Sequence, residues 1–264
     1  VVPRDRRARR VLLPILRRVL DRHRVVVHSR HAADLLHRHG FDQQVGVVPL
    51  ALPVVALAPD ARAGARDELL AGSTGPLLTL AGVLKSAKGV SEVVSAARDL
   101  PDARVVLVGR VADDATSRAL AERPANVTLI EQADDAHFCR VLAAADAMLL
   151  PRSDSVGETS GPLVMAHALG TPVAMLDTGS APEYGLPQDL VVPAASSVAE
   201  LVGQAAVRPW QRTTATIDDA VSGVVNSYRR EFVALGWLGD DVGRAVDQPP
   251  SPEDTPSLTD DHTA

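Results

Sequence analysis

Aromatic residues make up only 3% of this 264-residue chain, and cysteine occurs once. The lone Cys139 excludes an intramolecular disulfide and any metal site built from several cysteines, which suits a reducing compartment. It lies in an apolar helical pattern, the setting of a buried thiol rather than of a nucleophile. With rings so scarce, the interior has to be built from Ala, Val and Leu. A basic surplus is also missing. The formal charge is −6, which weighs against nucleic acid as a partner. No apolar run reaches the roughly 20 residues that span a bilayer, and no secretory leader pattern is present. The expected location is the cytoplasm.

What is present is an ordinary globular balance, 46% hydrophobic and 23% charged, over a length sufficient for one large domain or two small ones. Charge is unevenly placed. Arg4, Arg6, Arg7, Arg9, Arg10, Arg17, Arg18, Arg22 and Arg24 crowd the start, while Asp240, Asp241, Asp247, Glu253, Asp254, Asp260 and Asp261 mark the end. Residues 5–22 predict a helix with Val11, Leu12, Ile15, Leu16, Val19 and Leu20 on one apolar face and arginines elsewhere. Strands are predicted at 25–28 and 45–48, separated by a helix that Ser29 caps and Gly40 closes. A helix follows around 62–71, and the small residues 72–75 mark a break between lobes.

Beyond that break, strands at 77–81, 104–108, 127–130, 147–150, 172–176 and 190–192 alternate with helices at about 90–100, 113–122, 136–145, from 161, and 198–206. Several strands lack in/out alternation. Short connections and unbroken apolar runs describe a parallel sheet covered on both faces, a Rossmann-like doubly wound α/β fold. A further helix is predicted at about 217–235 and a disordered, acidic, proline-containing tail after it.

Two constellations carry chemistry. Glu158-Thr159-Ser160-Gly161-Pro162 follows a strand and opens a helix. Thr159 or Ser160 caps that helix, and Pro162 sits in its first turn, where a missing N–H costs nothing. The free amides and the positive dipole end make an anion seat at the carboxyl edge of the sheet. The second is Gly82-Val83-Leu84-Lys85-Ser86-Ala87-Lys88-Gly89, directly after the strand at 77–81. Gly82 permits a sharp turn, Lys85 lies in the loop, and Lys88 is expected where the next helix starts. Two ammonium groups there clamp a diphosphate. The spacing matches neither the Walker motif nor the dinucleotide fingerprint.

Taken in order, Gly82 to Gly89, Val106-Leu107-Val108-Gly109, Ala144-Ala145-Asp146-Ala147, Pro151 and Gly170-Thr171-Pro172-Val173 resemble family 4 glycosyltransferases, nucleotide-sugar-dependent enzymes of the two-lobed GT-B fold. Val26-Val27-His28-Ser29 and Val47-Val48-Pro49 resemble the end of that family's acceptor lobe. The resemblance runs from about residue 20 to 205. It implies that Lys88 contacts the donor diphosphate, with Lys85 substituting for the arginine that the family usually has where Val83 stands. It implies further that Gly82 and the backbone of Thr159, Ser160 and Gly161 hold the donor phosphates. Gly109 and Arg110 would lie near the nucleotide, and Glu131 and Gln132 would flank the base. Glu158 matches the first of two family glutamates, as a donor-sugar contact or a helix-dipole partner. The second, which binds the ribose, is replaced by Ala166, and this leaves the base open. The family's catalytic histidine would lie upstream of Val1, in an acceptor-lobe portion on the order of 100 residues long.

The activity this implies is transfer of a sugar from a nucleoside-diphosphate donor to an acceptor (a glycan, a lipid or a small molecule), with retained anomeric configuration and with no metal or other cofactor. The expected partition is 1–72 for a partial N-terminal acceptor-lobe segment, 73–208 for the donor-binding domain, 209–245 for a helical segment and 246–264 for the tail. The arginine-rich first helix offers peripheral contact with an anionic membrane at the inner face, or plain packing with its charges in water. A GT-B sugar-nucleotide epimerase and a non-catalytic scaffold of the same fold stay open as alternatives. Other candidate groups read as structural. The pairs Asp113-Asp114, Asp134-Asp135 and Asp218-Asp219 fall near helix starts, where carboxylates complement the dipole. His137 and Cys139 fall on different helix faces, which excludes a metal pair. His28 and His31 are expected in solvent.

Overall fold

A computed structural model of the chain describes residues 6–20, 22–41, 45–50, 57–152, 159–177, 179, 181–184, 189–193 and 195–212. Glu158, the helix expected at 217–235 and the acidic tail lie outside the described residues. Helix α1 (Arg6–Leu20) leads into a small parallel pair, β1 (Val25–Val27) with β2 (Val45–Val47), crossed over by α2 (Arg30–Arg38). Ser29 caps α2 as expected, its hydroxyl accepting from Ala32 N at 3.0 Å. The expected apolar face of α1 is only partly covered: Leu12, Ile15 and Val19 are 43%, 56% and 49% exposed, while Leu16 and Leu20 are partly buried.

The larger sheet has six parallel strands: β3 (Leu77–Ala81), β4 (Arg104–Val108), β5 (Val127–Ile130), β6 (Ala147–Leu150), β7 (Val173–Leu176) and β8 (Leu190–Val192). Their order is β5-β4-β3-β6-β7-β8. The accompanying helices are α3 (Pro59–Leu70), α4 (Val90–Ala97), α5 (Asp114–Ala121), α6 (Asp135–Ala144), α7 (Gly161–Ala168), the four-residue α8 (Ala181–Tyr184) and α9 (Val198–Val207). Both faces of the sheet are covered, which explains the unbroken apolar runs. Leu78, Leu80, Val105 and Leu107 pack under α4 and α9, while Val106, Val108, Met148 and Met175 pack under α3, α6 and α7. The expected doubly wound Rossmann-like sheet is therefore present.

Strand limits follow backbone chemistry. Pro172 has no N–H to give the ladder, so β7 begins at Val173, although the Pro172 carbonyl still accepts from Met148 N at 2.8 Å. Helix α3 precedes the 72–75 break yet packs against α6, β3 and β4. Ala65 is buried there, and Arg66 pairs with Asp146 at 2.8 Å. The other Asp146 oxygen accepts from Leu77 N at 2.8 Å, so one carboxylate ties α3 to the start of β3. On this same amino edge Arg212 donates to the Ala145 carbonyl, and burial followed by repulsion from Arg62 lowers its pKa to about 10.

Leu142 of α6 is fully buried against this second core face. Leu142→Ala should therefore cost about 2–5 kcal/mol of stability, the transfer term plus the cavity left behind. Denaturant unfolding measures it, and a wild-type midpoint is the contrary result.

Candidate functional site

The strand order makes a crevice before any side chain is considered. From β3 the chain passes through α4 to β4 on one side, and from β6 it passes through α7 to β7 on the other. The carboxyl ends of β3 and β6 are thus neighbours whose connections diverge, and ligands of open α/β sheets bind at such a switch point. The glycine–lysine loop follows β3 and the Thr159–Gly161 segment follows β6, so the two constellations meet here although nearly eighty residues separate them.

Gly82 is the centre of that meeting. Its backbone turns at φ +105°, and a Cβ there would stand 2.9 Å from Pro162 Cγ and 3.6 Å from Lys88 Nζ. The Lys88 ammonium and the first turn of α7 therefore flank the same bare stretch of backbone. Ser160 caps α7, accepting weakly from Leu163 N at 3.4 Å, and Thr159 is half-buried beside it. Gly109, at φ +133° after β4, is pressed against the Gly82 carbonyl. No side chain fits between them. Gly89, at φ +71°, packs on Pro151, with a built Cβ 3.2 Å from the proline Cβ.

The turn carrying the lysines differs from the expected helix start. Ser86–Lys88 form a single 3₁₀ turn with Lys85 as its extended N-cap residue, and α4 begins only at Val90. Gly89 breaks the two apart because its left-handed backbone cannot continue a helix. Arg110 is exposed and contributes its carbonyl, which accepts from Leu84 N at 2.8 Å. Glu131 and Gln132 are exposed at the end of β5. That is two strands from the crevice, about 10 Å by strand spacing.

Two supports of the site were not legible in the sequence. Asp113 caps α5 by accepting from Thr116 N at 2.8 Å, as the acid-pair reading expected, but its other oxygen accepts from Ser86 N at 2.8 Å and from the Ser86 hydroxyl at 3.0 Å. Those amides, Thr116 first and Ser86 next, lower its pKa to about 2. The sign follows: this tether is fully present above the ordinary value of 3.8 and is lost only as the pH falls through about 2. The second support is His167, in the last turn of α7, with Nε2 3.0 Å from Asp189 Oδ2. The other Asp189 oxygen accepts from Val173 N at 2.8 Å. The far end of α7 is thereby pinned to the starts of β7 and β8.

The same edge touches the small sheet. Glu183 of α8 accepts from the Arg30 and His31 amides of α2 at 2.5 and 2.7 Å. Gly179, at φ +77°, lies against the His31 ring, where a Cβ would come 2.8 Å from Cε1. His28 Nδ1 lies 3.0 Å from the Val48 carbonyl oxygen. Neither histidine is the solvated group expected of it: both are half-buried, His31 against Gly179 and His28 beside the Val48 carbonyl within the small sheet's own unit. Asp134 caps α6 through His137 N at 2.7 Å and Cys139 is buried, both as expected, while His137 is exposed. Among the described residues there is no cluster of His, Cys, Asp and Glu that could hold a metal, and no helix long and apolar enough to cross a membrane.

Residues 62–204, more than half of the chain, match the family model described as glycosyl transferases group 1. The D-inositol 3-phosphate glycosyltransferase of Mycolicibacterium gilvum is 28% identical over 173 residues, which is 60% of this chain and 38% of that protein. The chain thus spans well under half the length of this relative. Among solved structures, Anabaena Alr3699/HepE in complex with UDP-glucose aligns at TM-score 0.65 and 16% identity, over 86% of this chain and 67% of that one. Sucrose-phosphate synthase from Thermosynechococcus elongatus aligns at TM-score 0.68 and 20% identity, over 92% and 65%. These likenesses carry the fold, and the family match goes further: the chain belongs to the group 1 glycosyl transferases, of GT-B fold, as its motifs resemble.

Proposed function

We propose that the six-stranded sheet, with α3 added to 73–208, is the donor-binding domain of a glycosyltransferase that moves a sugar from a nucleoside diphosphate to an acceptor. The observation that carries this reading is the convergence of Lys88 Nζ and the first turn of α7 on the bare backbone of Gly82. A diphosphate lying there meets an ammonium group from one side and helix amides from the other. Charge grows on the diphosphate as the sugar–oxygen bond breaks, and preorganised donors at the leaving group lower that barrier. Gly109 keeps the floor thin enough for the nucleotide to approach, with Arg110, Glu131 and Gln132 along its path toward β5. Retention and independence of metal are read from the family resemblance. That the solved Anabaena neighbour holds UDP-glucose supports a uridine nucleotide as the first donor to try.

Calorimetric titration of UDP and of GDP into the purified chain tests the reading. Saturable binding of one of them is expected. A chain that binds neither is a scaffold that has kept the fold without its ligand, and the reading falls.

A further inference from the structure

We propose that Asp113 is a positioning residue for donor binding, holding the Lys85–Lys88 turn in the shape that presents Lys88 to the diphosphate. The inference rests on the donor-site reading above and adds a residue to it.

The loops after β3 and β4 are stitched side by side. Leu84 N donates to the Arg110 carbonyl at 2.8 Å, and Ala112 N donates to the Leu84 carbonyl at 2.9 Å, a parallel bridge between Leu84 and Val111. Leu84 is buried, so this part is anchored by packing as well. Beyond it the chain must hold three exposed or half-exposed residues in a 3₁₀ turn. Its internal bonds are Lys88 N to Lys85 O at 2.8 Å and Gly89 N to Ser86 O at 2.9 Å. A turn that short does not hold itself in water, because fixing its dihedrals costs more than its bonds return. It also has no side-chain cap of its own, since Lys85 in the N-cap position supplies none. Asp113 supplies it from 27 residues away, taking both the Ser86 amide and the Ser86 hydroxyl on one oxygen. The other oxygen is engaged by Thr116 N, so the carboxylate cannot swing off without uncapping α5. Lys88 is two residues beyond Ser86 in the same turn. Freed of Asp113, the turn samples other shapes and has to be reordered at each binding event, a cost that preorganisation removes.

The two arms of Asp113 can be separated. In Asp113→Ser the hydroxyl still caps α5, because Ser is among the best N-cap residues, but it is too short to reach Ser86. In Ser86→Pro the cap is untouched and both Ser86 donors are gone. Proline is tolerated at the first position of a turn, and the extended Lys85 before it (φ −149°, ψ 156°) suits a residue preceding proline. The dissociation constant is measured by calorimetry with UDP or GDP, whichever the wild type binds more tightly, and unfolding midpoints are recorded alongside. Each variant is expected to bind about fivefold more weakly at an unchanged midpoint, the size of a lost hydrogen-bond pair at the surface. Placed in a Lys88→Ala background, each is expected to weaken binding by less than about twofold, because the turn no longer has an ammonium group to present. Wild-type affinity in both variants overturns the inference, as does a fivefold loss that persists undiminished without Lys88. A wild type that binds neither nucleotide overturns the donor-site reading itself and this inference with it. Weakening by Lys88→Ala with no effect of Asp113→Ser or Ser86→Pro overturns the inference alone.

Discussion

Gly109→Ala should abolish saturable nucleotide binding and cost upwards of about 3 kcal/mol of stability, the range reached when backbone strain and a backbone clash coincide. The methyl group would be driven into the Gly82 carbonyl, with its Cβ 2.8 Å from the Gly82 carbonyl carbon, at a φ of +133° that side-chain-bearing residues rarely adopt. Nothing there is a flexible side-chain end that can move aside. Relief requires β3 and β4 to separate where they are paired, with Gly82 N donating to the Val108 carbonyl at 2.9 Å. The crevice would then lose its floor and its turn together. A useful control is Gly64→Ala in α3, where a Cβ meets nothing within 4 Å. That change relieves backbone entropy in a helix interior, worth roughly 0.5–1 kcal/mol in the favourable direction. Denaturant unfolding and calorimetry on the pair decide the matter, and wild-type stability in Gly109→Ala would contradict the packing described.

Lys88→Ala is expected to lower turnover of the complete protein at least tenfold, a barrier increase of roughly 1.4 kcal/mol or more. The Lys88 ammonium nitrogen stands beside Gly82, opposite the first turn of α7, where a second positive contribution comes from a helix dipole. Arginine is not an equivalent replacement, since its planar fork delivers charge in a different shape from a compact ammonium group. Binding of the nucleoside diphosphate should weaken as turnover falls, and the loss should shrink as salt is added to screen the surviving attraction. Unchanged turnover would remove Lys88 from the site.

Much of the six-stranded sheet is legible in the sequence because each strand is a short apolar run bounded by a residue with a fixed backbone role. Gly82 ends β3, Gly109 ends β4, Pro151 follows β6 and Pro172 precedes β7. Helix starts are legible for a similar reason: Ser29, Asp113, Asp134 and Ser160 each spend a side-chain oxygen on an amide three residues on. The 3₁₀ turn at Ser86–Lys88 and the four-residue α8 were missed because neither is long enough to show a period. Asp113 is readable as a cap and not as a tether, because its second partner is fixed by the pairing of two loops, which no local pattern encodes. The attachment of α3 to the large sheet was hidden by the Gly- and Ala-rich stretch after it, which resembles a lobe boundary from sequence alone. His167 and Asp189 carry a single local hint, a histidine at a helix end, and their meeting depends on the strand order.

The grip of Glu183 on the opening amides of α2 has a mechanical consequence. Both partners are at the surface, so water can take the place of either one the moment they part, and even hydrogen bonds to a charged group contribute only about 1.5–3 kcal/mol net each. Such a fastening sets a preferred angle between the two sheets without locking it, and thermal agitation alone suffices to undo and remake it. A joint of this softness lets the smaller sheet tilt against the larger one at little cost.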